Sequence, residues 1–183
     1  MTPDELLATV EAILLTASGP VTVTALAEAL DDREAGADGI LEALQTIVGA
    51  WDRPDSGLRL EKVADGWRCV TPPELDPYLR AFHGIAARQR LSQAALEVLA
   101  IIAHRQPVTL PELNFIRGAN SASTVRTLLE RRLLRMAGRK KVVGKPFLYR
   151  TSREFLLHFG LERPEDLPDP EELVKDEESI ASE

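Results

Sequence analysis

One cysteine in 183 residues, Cys69, excludes an internal disulfide and a structural metal caged by thiolates. It fits a reducing compartment. Basic residues are missing from the start, Met1-Thr2-Pro3-Asp4-Glu5, where a secretory signal would carry them. Long apolar runs are missing too. The longest, Ala94 to Ala103, is interrupted by Glu97 and falls far short of the roughly 20 residues that span a bilayer. The expectation is a soluble cytoplasmic protein with no membrane contact. His83, His104 and His158 are the only histidines, and they show no metal-ligand spacing. No glycine-rich turn joins a strand to a helix, because Gly138 and Gly144 flank a hairpin. Cys69, beside Trp67 in a strand-like run, reads as a small buried hydrophobe rather than a nucleophile. No pattern pairs the numerous carboxylates of the N-terminal half across a cleft. These absences point away from an enzyme, and neither a cofactor nor a metal site is expected.

What the chain does have is an uneven charge. Residues 1–85 hold 6 Lys and Arg against 15 Asp and Glu, a net of −9. Residues 86–163 hold 15 against 5, a net of +10, and residues 164–183 hold 1 against 9, a net of −8. An acidic module, a basic module and an acidic tail follow one another. The basic segment either binds a polyanion or acidic partner, or is a solvated face neutralised by the chain's own tail. Charge alone favours the second. Hydrophobic residues make up 44% of the chain, enough for a packed core, and the length suits one domain or two small ones.

The chain also repeats itself. Leu6, Leu7, Val10, Ile13, Leu14 and Ala17 fall on one helical stripe, with Leu15 pointing away from it. Gly19-Pro20 ends that helix, and Thr22 caps a second through Leu26 and Leu30. A third runs from about Gly39 to Ala50. Leu58 to Val63 and Trp67 to Thr71 then read as strands around an Asp65-Gly66 hairpin turn. The same order returns. A helix spans Ser92 to about Arg105, and Pro107 breaks it. Thr109-Leu110-Pro111-Glu112 is a capping box for the next helix, which Gly118 ends. Asn120 or Ser121 caps the third, and strands over Leu133–Gly138 and Pro146–Thr151 flank a basic loop. Pro20-Val21-Thr22 and Pro107-Val108-Thr109 sit 87 residues apart at the same junction, an offset that Leu26 and Leu113 share. A period this long is a domain duplication.

Three short helices followed by a hairpin is the winged-helix order. The expected fold is mainly α with small β-hairpins, an α+β chain of two tandem winged-helix domains. They are placed at 1–72 and 91–163, with a linker at 73–90 that has helical potential over Leu75–Phe82. Residues 164–183, rich in Pro, Asp and Glu, read as a disordered acidic tail.

The second hairpin and the helix before it supply the binding candidates. Arg126, Arg131 and Arg132 lie on or just beyond that helix, and Arg139, Lys140, Lys141 and Lys145 lie on the wing. Cations so placed suit phosphate contacts. Few side chains there suit the reading of base edges, beyond Ser123, Thr124 and Thr127. On these residues alone a solvated face is the stronger reading. The helix from Ser92 to Arg105 is apolar on nearly every side, with only Glu97 and His104 as a polar strip. A surface helix needs a narrower stripe, so either this one packs on two sides, its own module and either the other module or a partner, or the excess is extra burial inside this chain.

From Leu91-Ser92-Gln93-Ala94-Ala95-Leu96-Glu97-Val98-Leu99-Ala100-Ile101-Ile102-Ala103, with Gln106-Pro107-Val108-Thr109, the sequence resembles the segregation and condensation protein B family. Ile116-Arg117-Gly118, Arg126-Thr127-Leu128-Leu129-Glu130-Arg131 and Ala137-Gly138-Arg139-Lys140 carry the resemblance on. So do Gly144-Lys145-Pro146-Phe147-Leu148-Tyr149 and Phe155-Leu156-Leu157-His158-Phe159-Gly160-Leu161. In the first module Gly66-Trp67-Arg68 and Val70-Thr71 fit. His104 stands where the family often has tyrosine, and Leu110 where it often has a basic residue, which weakens any contact that used that charge.

The resemblance implies a non-enzymatic accessory subunit that homodimerises and binds the central region of a kleisin, segregation and condensation protein A. Through the kleisin it would join a structural-maintenance-of-chromosomes (SMC) ATPase in chromosome condensation and segregation, at the nucleoid. Dimerisation is expected through the first module, with Leu15 as the candidate contact. Arg126, Arg139, Lys140, Lys141 and Lys145 are the partner-binding candidates, and any DNA contact is expected to be weak and indirect. The alternative is a winged-helix transcription regulator that binds DNA directly.

Overall fold

The first helix begins where Thr2 and Glu5 exchange hydrogen bonds. Glu5 N donates to Thr2 Oγ1 at 3.3 Å, and Thr2 N donates to Glu5 Oε2 at 2.8 Å. Such a reciprocal cap satisfies two of the amides that a helix start leaves unpaired. Residues 1–30, 36–84 and 90–168 are described by the structure, a computed structural model. The chain divides into two compact units, Met1–Arg90 and Leu91–Glu183.

In the first unit α1 (Pro3–Thr16) buries Leu6, Val10 and Leu14 at four-residue spacing. Then α2 (Val23–Leu30) starts at Thr22, whose hydroxyl accepts from Ala25 N at 3.1 Å. The longest helix, α3 (Gly36–Trp51), turns Ile40, Ala43, Leu44, Ile47 and Trp51 inward, and these join Leu26 and the α1 stripe in one core. Each buried leucine, isoleucine or valine among them contributes about 1.5–3 kcal/mol on burial. Trp51 Nε1 donates to Glu11 Oε1 at 3.1 Å, so the indole's polar end is satisfied at the edge of that core.

The hairpin β1 (Arg59–Val63) and β2 (Gly66–Val70) follows, antiparallel, with Val63 opposite Gly66. Its turn is Ala64-Asp65, at φ 50° and 59°, rather than the expected Asp65-Gly66. Gly66 is instead the first strand residue. A Cβ there would meet Pro20 Cβ at 3.0 Å and the Val21 carbonyl oxygen at 3.1 Å. The glycine is required for close approach, not for the turn. Val21 and Trp67 exchange both backbone hydrogen bonds at 2.8 Å, so the segment after α1 forms a third edge of the wing sheet. A 3-10 turn (Pro73–Leu75) then leads into α4 (Asp76–His83), which buries no side chain. Residues 85–89 of the expected linker lie outside the described residues.

The second unit repeats this order with a three-stranded sheet. Ser92 caps α5 (Gln93–Arg105), which buries Ala95, Val98, Leu99, Ile102 and Ala103. The two-residue strand β3 (Val108–Thr109) precedes α6 (Leu110–Arg117), and α7 (Ala122–Glu130) follows. Asn114 Oδ1 accepts from the amide of fully buried Ser121 at 2.8 Å and fixes the turn between α6 and α7. Ser121 is the N-cap of α7 but makes no side-chain cap bond, and Asn120 Oδ1 just before it accepts from Ala122 N at 3.0 Å. The strands β4 (Leu134–Arg139) and β5 (Phe147–Thr151) pair antiparallel, and β3 adds to β5, giving the order β3-β5-β4.

Gln106 ties the end of α5 to this sheet: its Oε1 accepts from Thr151 N at 2.8 Å and from Thr151 Oγ1 at 2.9 Å. A last helix, α8 (Arg153–Phe159), buries Phe155 and Leu156. The chain is thus mainly α with small antiparallel sheets, two winged-helix domains in tandem. Pro164–Asp166, the start of the stretch expected to be disordered, forms a 3-10 turn in which Arg163 N donates to Asp166 Oδ2 at 2.7 Å. The rest of that stretch, 169–183, lies outside the described residues.

Candidate functional site

The cationic candidates of the second unit sit on one hairpin and one helix, but few of them are free. Arg139, the last residue of β4, lies over the Phe147 ring at 3.8 Å from its centroid and donates through Nη1 to the Lys145 carbonyl at 3.0 Å. Lys140 is ion-paired with Glu112, in the first turn of α6. The Glu112 carboxylate also accepts from Thr109 N and from the Thr109 hydroxyl. Lys140 first, and then the Thr109 hydroxyl and amide, hold the Glu112 pKa down at about 2. Arg126 on α7 faces Glu130 one turn on, at 3.6 Å. Arg139, Lys141 and Lys145 are exposed without an ion-pair partner among the described residues, and of these Lys141 and Lys145 also leave their ammonium groups unstacked. They flank the wing tip, where Lys145 N donates to the Val142 carbonyl at 3.0 Å and Gly144 takes φ 82°. Val142 and Val143 stand exposed between them.

Sequence reasoning missed two arginines. Arg135 on β4 and Arg150 on β5 are direct cross-strand partners, and both are exposed. Their pairing follows from the register that sets buried Leu134 opposite buried Thr151 next to them. The presumed reading helix is poor in free polar groups. The outer face of α7 presents Ala122, Ser123, Arg126, Thr127 and Glu130. Within it Arg126 is paired, and Thr127 Oγ1 donates back to Ser123 O at 3.2 Å.

A second feature is apolar. A groove of about 230 Å³ runs between α5 and α8, lined chiefly by Leu96, Leu99, Ala103, Phe155, Phe159 and Leu167. Part of the surplus apolar surface of α5 is therefore used within its own unit, while Leu96 and Phe159 remain about two-fifths exposed. In the first unit Leu15 is half exposed on α1, at helical spacing from the exposed Ala8 and Ala12.

Among the described residues no further chemistry emerges. Cys69 is half-buried on β2, and burial pushes its thiol pKa up, away from nucleophilic use. Among the described residues no three His, Cys, Asp or Glu side chains gather as metal ligands, and no helix is long and apolar enough to cross a membrane.

The sequence model described as segregation and condensation complex subunit ScpB matches residues 8–170. Segregation and condensation protein B of Syntrophotalea carbinolica is 43% identical over 179 residues, covering 96% of this chain and 89% of the relative. The crystal structure of ScpB from Mycobacterium tuberculosis is 35% identical, with 88% of this chain and 98% of that chain covered and a TM-score of 0.42. A crystal structure of a dimer of an ScpB N-terminal domain complexed with ScpA peptide is 24% identical, covering 43% of this chain and 95% of that chain, with a TM-score of 0.37.

Proposed function

The chain belongs to the segregation and condensation protein B family, and from that premise we propose that it is a non-enzymatic accessory subunit of an SMC–kleisin complex. In this role it forms a homodimer through the first unit and binds the kleisin, segregation and condensation protein A, through the second. The observation that carries the reading is the family match over residues 8–170, which covers most of both units. Two features of the chain support it. The α5–α8 groove offers exposed leucine and phenylalanine where an amphipathic segment can gain apolar area. The net charge of +10 over residues 86–163 raises the encounter rate with an acidic partner. ATP chemistry then belongs to the SMC subunit, and this chain supplies binding surfaces alone.

A sequence-specific DNA regulator would need free donors and acceptors on α7, and those there are largely satisfied within the helix. The test is to mix the full chain with its kleisin and resolve the mixture by size exclusion at physiological and at high salt. Co-elution at both salts is expected. No kleisin binding, together with nanomolar binding to one DNA sequence at physiological salt, overturns the reading.

A further inference from the structure

Arg135 and Arg150 face each other directly across β4 and β5. Residues so paired project from the same face of a sheet with Cβ atoms about 4.5–5.5 Å apart, where like charges destabilise the ribbon. Both are exposed, and neither has an ion-pair partner among the described residues. The fold does not impose this. In the first unit the hairpin sets Glu61 opposite Arg68, and the two form an ion pair. The second unit has an arginine on both sides.

Further along the same ribbon, Lys141 and Lys145 flank the tip, with Val142 about half exposed and Val143 fully exposed between them. The ribbon is held in place from below. Lys140 is fastened to Glu112 on α6, and Arg139 is stacked on Phe147 and bonded to the Lys145 carbonyl. A braced ribbon loses little conformational freedom when it binds.

We infer that the β4–β5 ribbon is a direct contact for duplex DNA. It grips phosphates through Arg135, Arg150, Lys141 and Lys145, and it lays its valine tip into a groove. A two-stranded ribbon fits a DNA groove, and apolar side chains carried on cationic elements are a recurrent wedge between base steps. A peptide that is acidic alone would account for the cations but gives the protruding valines no use. The α7 face offers few groups for base edges, so the contact is independent of sequence and depends on salt. This surface lies apart from the α5–α8 groove in residue composition, and the inference does not rest on kleisin binding.

The test is fluorescence anisotropy of the full chain with a short labelled duplex, titrated with salt. Four neutralised phosphates predict that affinity falls roughly 150-fold between about 50 and 200 mM salt. In Arg135→Gln/Arg150→Gln the fall shrinks to roughly 12-fold, as two phosphate contacts are lost. The melting temperature of that variant should equal or exceed the wild-type value, because the like-charge pair is gone. A second variant, Val142→Ser/Val143→Ser, should bind several-fold more weakly with an unchanged salt slope. A duplex of shuffled sequence should bind equally well. The inference fails if the wild-type chain does not bind duplex at low salt, or if the arginine variant keeps the wild-type slope. It fails equally if poly-glutamate of matched charge binds as tightly as the duplex while the valine variant binds the duplex normally, an outcome that assigns the ribbon to an acidic protein.

Discussion

Lys140, at the root of the second wing, forms an ion pair with Glu112, and that carboxylate also closes the cap of α6 on Thr109. One side chain thereby fixes both a helix start and the position of the wing, although its partners lie 3 and 28 residues away. Lys140 and then Thr109 hold the folded Glu112 pKa near 2, below its ordinary 4.5. A depressed carboxylate pKa contributes stability that is fully present above the unfolded value and is lost as pH falls through the folded one. The window is therefore about pH 4.5 down to 2. Both side chains are over two-fifths exposed, so solvent screening limits the contribution to about 1 kcal/mol or less. Glu112→Gln should lower stability modestly at neutral pH and flatten the acid limb of the melting temperature in that window. Parallel acid limbs for wild type and variant would count against this linkage.

Gly66 makes a sharper test of the first unit. A methyl group at this position meets Pro20 Cβ and the Val21 carbonyl at 3.0–3.1 Å, and the Val21–Trp67 hydrogen bonds hold that backbone in place. Gly66→Ala should cost about 1–3 kcal/mol through overpacking. Asp65→Asn, at φ 59°, adds no backbone strain, since asparagine tolerates the left-handed region, and should cost less than Gly66→Ala. Thermal melts of the two variants distinguish this geometry from a turn centred on Gly66, which would make Asp65 and Gly66 equally sensitive.

The helices and their caps were legible because apolar spacing and capping chemistry are local. The hairpin was legible too, but the Asp-Gly signal places its turn one residue late, and only the approach of Pro20 shows why the glycine belongs to the strand. The Pro-Val-Thr repeat looked like a helix junction. It is one, with Thr22 and Thr109 capping the helices that follow, but Val21 also pairs with Trp67 and Val108 with Tyr149, and strands this short leave no period to detect. The wing cations Arg139, Lys140, Lys141 and Lys145 stood out as a run. Arg135 and Arg150 did not, because their relationship exists only through register between residues 15 positions apart.

Gln106 carries a further prediction. Its side-chain oxygen is the acceptor for both Thr151 N and Thr151 Oγ1, and Thr151 is only 6% exposed. Truncation leaves two buried donors without a partner, at a cost of about 1–3 kcal/mol. Gln106→Ala should shift the urea midpoint of the second unit accordingly, and Gln106→Glu should recover part of the loss by restoring an acceptor. Equal midpoints for the wild-type and alanine chains would show that water replaces the amide without cost.

Leu15 tests the dimer. It is half exposed on α1 and contributes little to its own core, so Leu15→Glu should fold normally. In a dimer built on this face the substitution places a charge against apolar surface. It should weaken association at least tenfold, about 1.4 kcal/mol. Sedimentation at micromolar concentration reads the result. A dimer of unchanged strength moves the interface to another part of the chain.

Kleisin binding separates the groove from the wing by kinetics. Contacts that form only after docking govern dissociation, whereas charges outside the buried patch act on encounter. Phe159→Ser removes an aromatic wall of the α5–α8 groove at a position already about two-fifths exposed, which spares the fold. It should raise the kleisin dissociation rate about tenfold or more and leave association nearly unchanged. Lys141→Gln/Lys145→Gln should do the reverse, slowing association about two- to fivefold in low salt and hardly at all in high salt. Surface plasmon resonance with immobilised kleisin measures both rates. If the lysine variant instead raises the dissociation rate while Phe159→Ser changes neither rate, the kleisin docks on the wing, and the groove has no part in the complex.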